Sequence, residues 1–374
     1  MTSHRVLVVG MGNLGSLIFD LVVRVSGRHT FLVGGRNLDY LRQRANLSLL
    51  AAIQLGYTPD VTCTLLDVEN IERTAETIAR FRPTIILCAA TLRPLDTTHT
   101  LPEQITKQLA AAPMGPRLPF YLLLVYRLMQ ALHLAKHPAI VLNAIYPDVV
   151  HPILSKVGLA PTTGIGDLAN NIPAIRLAVA WKLGKPLEQI EVRLVAARHV
   201  SYWMSRSDSG NAPLHLTILV NGEDQSHLLD QKTLFKALPG TLKRIGGTTG
   251  LLMTATSAAA IYTAIVENTG RVERAPGPNG LPGGYPVRVD SQGVQLALPE
   301  GLSREAAIRL NQAGLACDGI ERIEENGTVY FTEKEATIYK TLFGYECQRM
   351  PLHEVEHWAR ELSSRYQALA KEYN

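Results

Sequence analysis

Three glycines in the run Gly10-Met11-Gly12-Asn13-Leu14-Gly15 have the spacing at which a backbone can be laid against a dinucleotide diphosphate. The first glycine permits a tight turn, the second lets main chain approach the diphosphate, and the third lets a helix pack on a strand. The context agrees: residues 5–9 are a strand-like apolar run, and Leu17, Ile18, Leu21 and Val22 follow at helix spacing. A helix starting there would turn its free N–H groups and positive dipole end toward the phosphates. Gly10, Gly12, Asn13, Leu14 and Gly15 are therefore the expected cofactor contacts. The next strand, residues 30–33, ends in Gly34-Gly35-Arg36-Asn37. It lacks the acidic residue that takes the ribose hydroxyls of NAD. Arg36 there suits a 2′-phosphate, so NADP is expected over NAD, unless Arg36 simply opens a surface helix. Asp67, closing a third strand, is placed either against the adenine or as a cap on the following helix. Ala89 and Ala90 end a fourth strand beside the nicotinamide position.

Reduction of a carbonyl by a dihydronicotinamide needs a proton donor working near neutrality and a clamp for the substrate. His199, at the end of an apolar strand, is the candidate acid, with a structural histidine as the bland alternative. Asp167 is the carboxylate expected to orient it, or else a helix cap. Asn143 could contact the substrate carbonyl or the nicotinamide ribose, and Tyr202 is a second possible donor. Arg93, Arg117, Arg176 and Arg198 are the candidate carboxylate clamps, Arg93 and Arg198 leading on loop position. His353-Glu354-Val355-Glu356-His357 matches a zinc-protease spacing. With so little chain after it and no third ligand in view, a solvated helix face is expected, and no metal.

Strands alternating with helices over residues 1–150 predict a doubly wound parallel sheet, the Rossmann arrangement, within an α/β fold. Its ligand would sit beyond the carboxyl ends of the strands. Residues 151–345 change to hairpins and predict an α+β substrate domain, and residues 346–374 an amphipathic helix packing back on the body. Strands are read at 190–196, 214–220, 287–289 and 294–298, and residues 275–286 as a loop. Glu325-Asn326-Gly327 signals a hairpin, Thr332 with Glu335 a capping box, and Gly344 the end of that helix.

From Ala89 to about Pro299 the chain resembles the lactate/malate dehydrogenase superfamily. Ala89-Ala90-Thr91-Leu92-Arg93-Pro94 is similar to its mobile substrate loop, and Val141-Leu142-Asn143-Ala144 to its asparagine-ended strand. Gly164-Ile165-Gly166-Asp167 through Arg176 resembles its relay helix, and Val195-Ala196-Ala197-Arg198-His199 its histidine segment. The departures are specific: the family's acid and inner arginine fall on Asn171 and Ala174, and Arg198 and Val200 replace the glycines around the histidine. Gly35-Arg36-Asn37 and Leu66-Asp67-Val68 in the first half look closer to saccharopine-reductase-like and short-chain NADP enzymes.

The net charge of +4, with scattered Lys and Arg among 19% charged residues, gives no support to nucleic acid as a partner. Cys63, Cys88, Cys317 and Cys347 form no paired motif and read as free thiols of a reducing compartment. The uncharged stretch 248–266 is near membrane-spanning length but rich in Thr, Ser, Ala and Gly, so a buried helix or a dimer contact is expected instead. The expectation is a cytoplasmic, homodimeric NADP-dependent reductase of an anionic 2-oxo acid or related carbonyl. The alternatives are an opine- or saccharopine-type imine dehydrogenase and a non-catalytic dinucleotide sensor.

Overall fold

The computed structural model describes residues 3–93, 101–112 and 114–372. The first half alternates β1 (Arg5–Val9), α1 (Asn13–Val22), β2 (Thr30–Gly35), α2 (Leu38–Gln54), β3 (Asp60–Leu65), α3 (Ile71–Phe81) and β4 (Ile85–Cys88). After α4 (Glu103–Leu109) come α5 (Leu118–Leu134), β5 (Ile140–Asn143), α6 (Pro147–Ser155) and the two-residue β6 (Thr163–Gly164). These six strands form one parallel sheet in the order β3-β2-β1-β4-β5-β6. The order reverses between β1 and β4, and at such a switch point the crevice beyond the strand ends is open to a ligand. Val6, Leu7, Val8 and Val9 are fully buried, because a central parallel strand is covered on both faces.

The second half opens with α7 (Ile172–Leu183), β7 (Ile190–Val195), α8 (Arg198–Met204), β8 (His215–Val220), β9 (Glu223–Asp224) and α9 (Gln231–Ala237). Then come α10 (Gly247–Val266), β10 (Arg271–Pro276), β11 (Gly284–Asp290), β12 (Gly293–Leu296) and α11 (Arg304–Cys317). The chain ends with β13 (Ile320–Ile323), β14 (Val329–Phe331), α12 (Glu333–Phe343), β15 (Arg349–Met350) and α13 (Val355–Glu372). The strands make three small sheets, β7-β8-β9, β10-β11-β12 and β13-β14-β15, antiparallel throughout. Strand β10 occupies part of the proline- and glycine-rich stretch expected to be loop. Its Pro276 sits at the strand's last position, where the missing N–H costs nothing.

Residues expected as a separate second domain spread over all three hydrophobic cores. Helix α10 and β10–β12 share a core with α1 and the sheet face beneath it. Residues from Leu315 onward, with α12 and α13, pack with α3 and α5 on the opposite face. A smaller core joins α7, β7, β8 and α9. Helix α10 is long and apolar enough to cross a membrane, but its carboxyl half (Ala255, Ala258, Ile261, Tyr262, Ile265) is buried against this body.

Two capping expectations need correction. Asn70, not Asp67, caps α3, accepting from the Arg73 N–H at 3.0 Å. Thr332 stands at the N-cap of α12 without a side-chain bond, and Glu335 turns inward to 3% exposure instead of closing a capping box. Burial, then the nearby Asp318, pushes the Glu335 carboxyl up to about 8. Gly344 does end α12 in the left-handed conformation.

Candidate active-site cleft

Gly10 takes φ +92° at the end of β1, and a side chain there would drive into the Ala90 backbone at 2.8 Å. Gly15 passes so close to the Gly10 carbonyl that a Cβ would lie 1.9 Å from its oxygen. Gly12 is different: a Cβ there would meet nothing within 4 Å. It starts α1 with no side-chain cap, so the first-turn N–H groups are left to whatever fills the open side. Gly12, Asn13, Leu14 and Ala89 line a cleft of about 570 Å3, while Ala90 is spent packing against Gly10. Arg36 and Asp67 stand exposed beyond the ends of β2 and β3. The Tyr40 hydroxyl donates to the Met11 carbonyl at 3.3 Å and steadies the glycine turn.

The far wall of the same cleft includes Tyr146, Asp167, Arg198, Ser201 and Tyr202. Asp167 has φ +54° at the start of a 3-10 turn after β6. Its carboxyl is close enough to that of Asp148, in the first turn of the buried helix α6, for the two to raise or lower each other's acidity. The oxygens Asp148 Oδ1 and Asp167 Oδ2 are buried with no donor among the described residues. Two neighbouring buried carboxyls disfavour the doubly charged state, which favours a proton on one of them. Burial raises both acids. Asp148, fully buried, goes well above the ordinary carboxylate range. Asp167 is pushed up to about 6, with Arg198 and Arg274 pulling the other way. Arg274 lies 4% exposed between strand and acids, its Nη2 donating to the Ala196 carbonyl at 2.6 Å.

His199 takes a different place from the one expected. Its Nδ1 lies 3.2 Å from Asp318 Oδ1 and its Nε2 3.2 Å from the Gly210 carbonyl. Both nitrogens face acceptors, the side chain is 13% exposed, and the ring is not part of the cleft lining. The carboxylate that orients it is Asp318, not Asp167. Asp318 also holds Arg198 bidentately, through Nε at 3.0 Å and Nη2 at 2.8 Å. Arg198 therefore reaches the cleft as a fixed guanidinium. Its backbone N–H donates to Asp148 Oδ2, which ties the two acid centres together.

The other candidates separate cleanly. Asn143 is fully buried: Nδ2 donates to the Ile145 carbonyl at 2.9 Å and to His151 Nε2 at 3.0 Å, and Oδ1 accepts from the Ile145 N–H at 2.9 Å. Burial lowers His151 to about 4, so it stays neutral and accepts. Asn143 thus shapes the β5–α6 turn that presents Ala144, Ile145 and Tyr146, and has nothing left for substrate. Asn143→Ala is expected to cost about 2 kcal/mol of stability, since buried groups lose their partners. Comparison of urea midpoints checks this. Arg176 donates to the Ile190 and Leu187 carbonyls and pins α7 to β7, so it is no clamp. Arg117 is buried 5.9 Å from the Tyr121 ring, outside the cleft lining. Arg93 lies over the Phe120 and Tyr366 rings at 5.8 and 5.5 Å, and Pro94, the rest of the expected substrate loop's motif, lies outside the described residues. Tyr202 lines the cleft with Arg206 stacked on its ring at 4.0 Å. His353 and His357 are exposed and face Glu354 and Glu361.

Sequence reasoning missed Asp318 altogether and gave Asp148 no role. Asp318 follows α11 with no motif around it and meets its partners across 120 residues of chain. Thr248, Leu251 and Thr254 of α10 complete the wall, which explains why that helix is small and apolar at one end.

No protein-family model matches the chain, and no curated protein sequence does. Solved structures do. Lactate dehydrogenase from Eimeria maxima, solved with NADH and oxamate, superposes with a TM-score of 0.55 over 84% of this chain and 92% of its own, at 12% identity. The fold is that of the lactate and malate dehydrogenases. A minor L-lactate dehydrogenase from Enterococcus mundtii in its ligand-bound form gives 0.54 over 87% and 100%, at 15% identity. Malate dehydrogenase from Plasmodium falciparum gives 0.50 over 84% and 95%, at 13% identity.

Proposed function

We propose that this chain is a nicotinamide-dinucleotide-dependent oxidoreductase that reduces a 2-oxo acid or a related carbonyl. The observation that carries the reading is that the open face of Gly12 and the buried acid Asp167, with Asp148 behind it, stand on one cleft. The residues present fit the cofactor: bare backbone at Gly12, unused N–H groups at the start of α1, and apolar Leu14, Ala89, Ala144 and Ile145 toward the strand ends. When bound, the reduced nicotinamide supplies a hydride to the substrate carbon. Asp167 gives the carbonyl oxygen its proton, and Asp148 holds the pair in the singly protonated form afterwards. Arg198, locked by Asp318, faces the substrate carboxylate. His199 serves by fixing Asp318, and so acts through Arg198. A cleft with its own proton donor favours catalysis over a purely sensing role.

NADP is the proposed cofactor, on Arg36 standing exposed where β2 ends, with no acidic residue at the end of that strand itself. Arg36→Ala should weaken NADPH by about tenfold or more, as loss of a charge-assisted pair implies, and leave NADH nearly unchanged. Fluorescence titration with each nucleotide checks this, and equal weakening of both would refute the role of Arg36.

The chain is further proposed to form a homodimer through α2. Tyr40, Leu47, Leu50 and Ile53 are each half or more exposed on that helix, an outer face more apolar than a free surface helix carries. Sedimentation should show a dimer that Leu47→Lys with Leu50→Lys converts to monomer. A wild-type monomer would refute it.

A further inference from the structure

Beside the cleft lies a second hollow of about 650 Å3, and the two share Asn170, Gly247 and Leu251 as common wall. Arg206, Lys243 and Arg244 line this outer hollow, and among the described residues no Asp or Glu does. Arg244 is held rigidly: its guanidinium donates to the Asn170 carbonyl and to Asn171 Oδ1. Both partners are neutral, so the charge itself is unmet. Burial pulls its proton affinity down, with no carboxylate offsetting the effect. Arg206, Lys243 and Arg244 are all exposed, and three like charges lining one hollow set up a positive potential that draws in an anion from outside. Arg206 is anchored by the Tyr202 carbonyl at 3.0 Å and by its ring, which also faces the cleft. Gly246 and Gly247 start α10 at the same place with no side-chain cap. Their backbone N–H groups and the dipole of a 20-residue helix add to the positive potential there.

We infer that this outer hollow is an anion subsite for the distal end of the substrate: the reacting molecule carries a second anionic group, a carboxylate or a phosphate, away from the carbonyl that is reduced. The inference rests on the oxidoreductase reading for the identity of the reacting end, and on the three cations and the shared wall for the distal end. It makes the substrate larger than a three-carbon oxo acid. The adjoining spaces, one mostly apolar at the strand ends and one cationic beside it, suit an elongated acid with charge at both ends.

The test uses the whole chain and the double variant Arg206→Gln with Lys243→Gln, neither residue having a part in the proposed chemistry. Inorganic phosphate binding is followed by calorimetry, and NADPH binding is titrated separately. The subsite requires phosphate to bind wild type and to bind the double variant at least tenfold more weakly, with NADPH affinity unchanged. Phosphate binding that is absent, or equal in both, overturns it. Variant-sensitive phosphate binding without any NADPH binding would leave the subsite standing and remove the oxidoreductase reading instead. The second arm is turnover: kcat/KM for 2-oxoadipate should exceed that for pyruvate in wild type and lose that advantage in the double variant, mainly through KM. Lys243→Arg in the Arg206 background should restore part of it. A preference for pyruvate that the variants do not alter would overturn the proposal.

Discussion

Asp167→Asn should lower turnover by about 100- to 10,000-fold, the range expected when a general acid is removed, while the fold and nucleotide affinity stay intact. The amide keeps the shape beside Asp148, but it has no acidic proton to give. It also removes one of two acids forced together in a buried site, so the melting temperature should hold or rise. The pH profile supplies the sign. Asp167 is raised to about 6, first by burial, so the doubly protonated pair persists below that pH and loses one proton above it. The pair titrates as a unit. Reduction should therefore slow as pH rises through about 6, whereas alcohol oxidation, which needs the pair to accept a proton, should quicken. The variant should lose that inflection. Normal turnover in Asp167→Asn would sink the assignment, and normal turnover with an unchanged profile in His199→Gln would support it.

Gly12→Asp should abolish dinucleotide binding without unfolding the protein. The two properties separate because a Cβ at Gly12 meets open space, whereas at Gly15 it would strike the Gly10 carbonyl. A carboxylate at position 12 would face the phosphates across the helix start. Placing like charges together costs several kcal/mol, so affinity should fall at least about 100-fold. Gly12→Ala should weaken binding less, and Gly15→Val should fail to fold. Equal melting temperatures for wild type and Gly12→Asp, alongside lost nucleotide fluorescence, would confirm the separation. Retained binding in Gly12→Asp would place the nucleotide elsewhere.

The features legible in the sequence are those whose cause is local. The glycine turn, β1, α1 and the hairpin at Asn326-Gly327 each follow from a few adjacent residues with defined backbone demands. Helix α5 likewise follows from the mostly apolar run it spans, Leu118–Leu134. The cleft walls were legible in part, since Ala89, Asp167, Arg198 and Tyr202 lie at strand ends of the sheet or in segments docked against them. What could not be read is pairing across the chain. Asp318 meets Arg198 and His199 only because α11 packs against α8, and no spacing encodes that contact. Asn143 looked functional by type and position, yet its three hydrogen bonds are spent on its own turn and on His151. Arg176 and Arg117 show the same limit: an arginine's charge is visible in sequence, while its partner is not.

The most direct test of the central claim is equilibrium titration of the purified protein with NADPH and with NADH, read by nicotinamide fluorescence, alongside Gly12→Asp as control. Saturable binding of one nucleotide per chain is expected, tighter for NADPH, and none to Gly12→Asp. Binding of neither nucleotide to wild type would mean that the glycine turn holds no cofactor, and the oxidoreductase reading would fall with it.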